Sequence, residues 1–177
     1  AQGRQALPDS GPVGGPRQIQ NLACCKCLGE TMKPLDLSTG FAPWYVNNNP
    51  AVLVNPTHPL WHQLPPAKWI GPAASSGQDA PAGVYTYETY FRVPKCLIPG
   101  AVTITGQFLA DDEGTISLSG PGGPVGPTFS TPTTPTPGWG FQKVVNFNYT
   151  IPANAAPGVY SLTVNVNSPQ GPTGLVV

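Results

Sequence analysis

The sequence predicts an all-β fold, a jelly-roll or β-sandwich with long Pro/Gly-rich loops and an extended N-terminal arm. Three observations lead there. Apolar and polar residues alternate along several short runs, the period of a half-buried strand. No segment of 11 or more residues carries a helical period free of Pro and Gly. Turn-forming residues separate the runs at intervals suited to a sandwich.

The arm comes first, over residues 1–21. It is rich in Gly, Pro and Gln, and Leu7, Val13 and Ile19 are nearly all its large apolar side chains. These are too few to fold alone, so its ordering cost must be met by contacts outside itself. Residues 22–177 are expected to form a single sandwich domain. Strands are expected at 42–46, 51–55, 83–93, 101–110, 115–119, 141–151, 159–167 and 174–177. Period-2 alternation assigns the core face to Tyr85 or its immediate alternates, Val102, Ile104, Phe108, Ile116, Leu118, Leu162, Val164 and Val166. Residues 47–81 read as irregular chain wrapping the core. Residues 120–140, Gly-Pro-rich and then Thr-Pro-rich, read as a loop crossing the sandwich edge.

Charged residues make up only 9% of the 177, against about 25% in an ordinary domain. Eight basic and eight acidic side chains cancel. No basic footprint marks a nucleic-acid partner. Near-zero net charge favours association, which suits a subunit of an assembly or a protein lying on a neutral surface such as a polysaccharide. No apolar run approaches the roughly 18 residues of a membrane span. The chain opens at Ala1, as a mature protein cut behind a signal peptide would, or an edited chain. The expected location is secreted, at the cell surface. Four cysteines, Cys24, Cys25, Cys27 and Cys96, then read as disulfide candidates. Three pairings are open; the favoured one joins the cluster to Cys96, with a short bond inside the cluster.

Candidate sites are few. Asp111, Asp112 and Glu113 form an acidic turn, readable as a calcium or glycan site, since hard cations want several oxygens, or as a solvated turn bonded to nearby backbone. Calcium is the one cofactor in view. Cys24 to Cys27 also reads as C-x-x-C, but a zinc site built from four cysteines lacks its second pair, and haem attachment fails because Leu28 follows Cys27. His58 and His62 are four apart, yet Pro56, Pro59, Pro65 and Pro66 forbid the helix that would align them. No Gly-x-Ser-x-Gly elbow accompanies the serines, so no catalytic residue is assigned and the chain reads as a non-enzyme. Trp44, Trp61, Trp69 and Trp139, with Tyr45, are either glycan-stacking and interface aromatics or core anchors. Trp139, between Gly138 and Gly140, is the best exposed candidate. Asn148-Tyr149-Thr150 is a formal glycosylation sequon.

The run Phe108-Leu109-Ala110-Asp111-Asp112-Glu113-Gly114-Thr115-Ile116-Ser117-Leu118-Ser119-Gly120 resembles the strand, acidic turn and strand of galactose-binding-like β-sandwiches (the jelly-roll superfamily). Gly-Val-Tyr openings at Gly83 and Gly158 and the final Thr173-Gly174-Leu175-Val176-Val177 join it. The likeness covers about residues 35–177, with Ser119-Gly120 standing where Asn-Gly is usual. Cys24 to Gly29, Pro65 to Ile70 and Val93 to Cys96 also resemble uncharacterised exported bacterial domains of this type. Such folds host lectins, enzyme appendages and structural modules alike. Two expectations follow. The first is a non-enzymatic structural subunit of an extracellular filament or surface layer, a homo-polymer joined through its arm. The alternative is a secreted carbohydrate-binding module.

Overall fold

The computed structural model describes residues 16–22, 34–72, 80–95, 102–132, 139–169 and 172–177. Cys24, Cys25, Cys27, Cys96, Leu7 and Val13 lie outside the described residues. Among the described residues twelve strands run in order: β1 (Gln20–Asn21), β2 (Tyr45–Val46), β3 (Asn49–Pro50), β4 (Val52–Leu53), β5 (Ile70–Gly71), β6 (Gly83–Val93), β7 (Val102–Asp111), β8 (Glu113–Gly120), β9 (Gly123–Ser130), β10 (Val145–Ile151), β11 (Gly158–Ser168) and β12 (Gly174–Val176). A short 3-10 turn spans Gly140–Gln142.

The strands form a two-sheet sandwich, an architecture compatible with a jelly roll. The large sheet has the order β3-β2-β6-β11-β8-β9, with β1 added to β6; the small sheet has the order β10-β7-β12-β5-β4. All pairings are antiparallel except β1 with β6. The register of β6, β11 and β8 puts Tyr87, Val164 and Ile116 in one row. Every second residue of these strands therefore faces the small sheet, and Tyr87, Phe91, Ile116, Leu118, Leu162, Val164 and Val166 are buried. This is the expected core face, and Tyr85, Val102 and Phe108 join it. Ile104 is the exception: it is only half-buried at the rim of the core, because no described strand covers that side of β7.

A second apolar cluster lies on the outer face of the small sheet. Residues 54–69 fold over it, and Val54, Trp61 and Trp69 pack there with Leu109, Phe141 and Val176. Within the segment expected as irregular wrapping chain, residues 54–69 lie over the sheet, and the described part also carries the short strands β3, β4 and β5.

The segment 120–140 differs from expectation. Residues Gly123–Ser130 form β9, hairpinned to β8 across Pro121-Gly122. Pro and Gly obscure the strand in the sequence. They are tolerated because β9 is an edge strand, where a missing donor faces no partner. Phe141 lies within the 3-10 turn rather than opening the expected strand, which begins at Val145. No helix is long and apolar enough to cross a membrane among the described residues.

Leu162→Ala empties a fully buried site between the sheets and is expected to lose about 2–5 kcal/mol of stability in urea titration. Ile104→Ala should cost less than half as much. Equal costs would place Ile104 in the closed core.

Candidate binding groove and acidic turn

The small sheet does not cover the large one completely. Strand β7 pairs with β10 over Val102–Phe108. On its other edge β12 reaches only Leu109, Ala110 and Asp111. Opposite Val102–Phe108, that edge has no strand partner among the described residues. It opens into a groove of about 590 Å3. Leu22, Phe91, Phe147 and Leu162 line it with apolar surface, together with residues 34–38 and 64–67. Asp36 is the one charged side chain among the described lining residues; the Ser38 side chain and then Ser38 N–H, which donates to Asp36 Oδ1 at 2.9 Å, hold its carboxyl below the usual range. A free strand edge beside an apolar trough offers backbone hydrogen bonds and side-chain burial together, the features that accept an extended polypeptide.

The N-terminal segment runs close by. Gln20 and Asn21 pair in parallel with Phe91 and Arg92, and Leu22 N–H donates to the Arg92 carbonyl at 3.3 Å. Arg17 lies 3.6 Å from Glu88, sits over the Tyr90 ring and donates to Tyr90 and Asn48. Gln18 N–H donates to the Tyr45 hydroxyl at 2.6 Å. Residues 17–21 of the expected arm, with Leu22 after them, are therefore bound to the chain's own large sheet. Ile19, an expected assembly residue, is exposed there.

The acidic turn lies at the other end of β7, and the structure joins it to the tryptophans. Asp111 is only 3% exposed, and its Oδ2 accepts a 3.0 Å hydrogen bond from Trp61 Nε1. Trp61 packs on Trp69 at 4.3 Å between ring centroids. Gly140 N–H donates to the Asp112 carbonyl at 2.6 Å; a Cβ at Gly140 would lie 2.4 Å from that oxygen, so only glycine permits this approach. Burial pushes the Asp111 carboxyl up, and the hydrogen bond and negative charge of Asp112 push it further, against the opposing pull of Trp61. Burial also raises Asp112, which the hydrogen bond from Asp111 opposes. Glu113 does not join the pair: it opens β8, cross-strand from Asn167. No three His, Cys, Asp or Glu are grouped to hold a metal among the described residues.

The four tryptophans divide. Trp44, Trp61 and Trp69 are buried, and their indole N–H groups are satisfied inside the chain, Trp44 by the Leu37 carbonyl and Trp69 by the His62 carbonyl. Trp139 is 43% exposed, its ring stacked on Phe141. His58 and His62 lie in the wrapping segment, where His58 Nδ1 accepts from Leu60 N–H and His62 N–H donates to the Phe141 carbonyl. Asn148 and Thr150 are exposed on β10. The groove escaped the sequence reading because its walls come from segments far apart in the chain with no shared motif. No protein-family model matches the chain, and no curated protein or solved structure matches it either.

Proposed function

We propose that this chain is a non-enzymatic structural subunit of an extracellular assembly, a filament or surface layer, joined through its N-terminal arm. The carrying observation is the open β7 edge beside the apolar groove. The groove receives an extended segment, and the arm of the next copy supplies it. Such a head-to-tail contact propagates unless its rotation closes a ring. The low charge of the chain supports this reading, since little repulsion opposes association. In negative-stain microscopy and sedimentation the full chain is expected to form ordered polymers. Deletion of residues 1–15, which spares Arg17 and β1, should leave a folded monomer by circular dichroism. A full chain that stays monomeric at high concentration sinks the proposal.

Export is part of the same proposal, and it brings a disulfide between Cys96 and the cluster Cys24, Cys25 and Cys27. Its support is the pairing of Leu22 with Arg92: the two chain segments that lead to these cysteines leave the large sheet side by side. In the chain-entropy model a closed loop of about 70 residues contributes roughly 3–5 kcal/mol. A non-reduced digest should yield a peptide linking Cys96 to the cluster; four free thiols would contradict it.

One observation favours the second reading, a carbohydrate-binding module of galactose-binding-like descent. Trp139 is partly exposed next to Gly140, whose amide bonds the acidic turn, and aromatic rings stack on sugar rings. Calcium at Asp111 and Asp112 belongs to this reading. Glycan-array binding that Trp139→Ala abolishes would place it ahead of the structural one.

A further inference from the structure

The open β7 edge and the arm match at one place in length, polarity and charge. We propose that residues 3–7 are the part of the arm that the groove takes, with Leu7 on its apolar lining and Arg4 paired to Asp36. This rests on the assembly reading and deepens it, by naming the inserted segment and the contact that sets its register. The edge is open over the seven residues 102–108 that pair with β10 on the other side. In the arm, Pro8, Pro12 and Pro16 recur at every fourth place, and only residues 1–7 run longer than three residues without Pro. Proline gives no N–H to a ladder, so this run is the one suited to pair along the whole edge.

The two faces of the edge call for different side chains. Val102 and Phe108 of β7 are buried, while Thr103, Thr105 and Gln107 are exposed. A strand laid beside them continues both faces. Of the groove lining, Leu22, Phe91, Phe147 and Leu162 belong to the core between the sheets, and Leu35 and Leu37 pack against it. Asp36, between those two leucines, is exposed. Leu7 is the one large apolar side chain in residues 1–7. Arg4 stands three places before it, so an extended chain sends the two to opposite faces. With Leu7 turned to the core, Arg4 turns outward, to the side on which Asp36 is exposed.

Charge points to the same pairing. Arg4 is the one Lys or Arg in residues 1–15, and Asp36 is the one charged side chain among the described lining residues. No cation pairs with Asp36 among the described residues, where Arg17 with Glu88 is the ion pair formed. Arg17, over Tyr90, is thereby held on its own sheet. Residues 8–16 remain as the link between that anchor and the inserted segment. Fully extended they span about 30 Å, a reach that suits the groove of a neighbouring copy.

The test uses the full chain and two measurements. In sedimentation, Arg4→Glu and Asp36→Arg are each expected to raise the critical concentration for polymers about tenfold, because each sets like charges together. An equimolar mixture of the two single variants should polymerise like the parent, since each arm then meets the opposite charge in the other variant's groove. Separately, a benzophenone amino acid at position 7 is photo-cross-linked and the digest is mapped by mass spectrometry. Cross-links are expected on the peptides that carry Phe91, Phe147 or Leu162; this measurement and Arg4→Glu serve also if Asp36→Arg does not fold. Single variants that polymerise unchanged, a mixture of folded variants that does not recover, or cross-links confined to other peptides overturn the proposal. Polymers with cross-links elsewhere would leave assembly standing without this segment. Groove cross-links within one chain, in a protein that stays monomeric, would keep residues 3–7 in the groove and remove assembly alone.

Discussion

The inner face of β6, β11 and β8 must be kept from water, and among the described residues the second sheet has only two long strands, β7 and β10, with which to cover it. The rest of the structure answers that shortage. Strands β12, β5 and β4 add three, two and two residues. Residues 54–69 then close the outer side of the small sheet with two tryptophans, and Asp111 is buried where they meet it. Where neither device reaches, the cover stops and the groove begins. The groove and the buried carboxyl are two results of one deficit.

Much of the large sheet was legible because its strands obey a single rule. In β6 and β11 alternate residues are buried over nearly their whole length, so period alone found them and their core face. Strand β7 breaks the rule. Its first half alternates, while Phe108, Leu109, Ala110 and Asp111 are all buried, since the wrapping segment covers the face that is open lower down. A run buried on both faces has no period to read. That explains why Asp111 looked like a turn residue open to solvent or to a ligand, and why its tie to Trp61, 50 positions away, was invisible. The tryptophans were ambiguous for a related reason: an indole is large enough to anchor a loop or to face a ligand, and only packing decides. Strand β9 was hidden by its own Gly and Pro.

The outer face of the large sheet shows where the low charge goes. Rows such as Thr86, Asn165 and Thr115, or Glu88, Thr163 and Ser117, run across β6, β11 and β8. Hydroxyls and amides take the places that Lys and Glu fill in an ordinary domain, and several bond to each other, as Thr86 does to Asn165 and Ser119 to Ser161. Such a face is wettable yet carries little long-range repulsion. The two edge strands of the large sheet carry Pro rather than charge: Pro50 lies on β3, Pro124 and Pro127 on β9.

The parallel pairing of β1 with β6 has a mechanical consequence. Tension on the chain from its N-terminal side, directed along β6, pulls parallel to the strand axis. The Gln20–Asn21 ladder, the Leu22 to Arg92 bond and the Arg17 contacts then share the load in shear, and must fail together. Had the segment joined the sheet as a hairpin, the same pull would peel its bonds apart one after another.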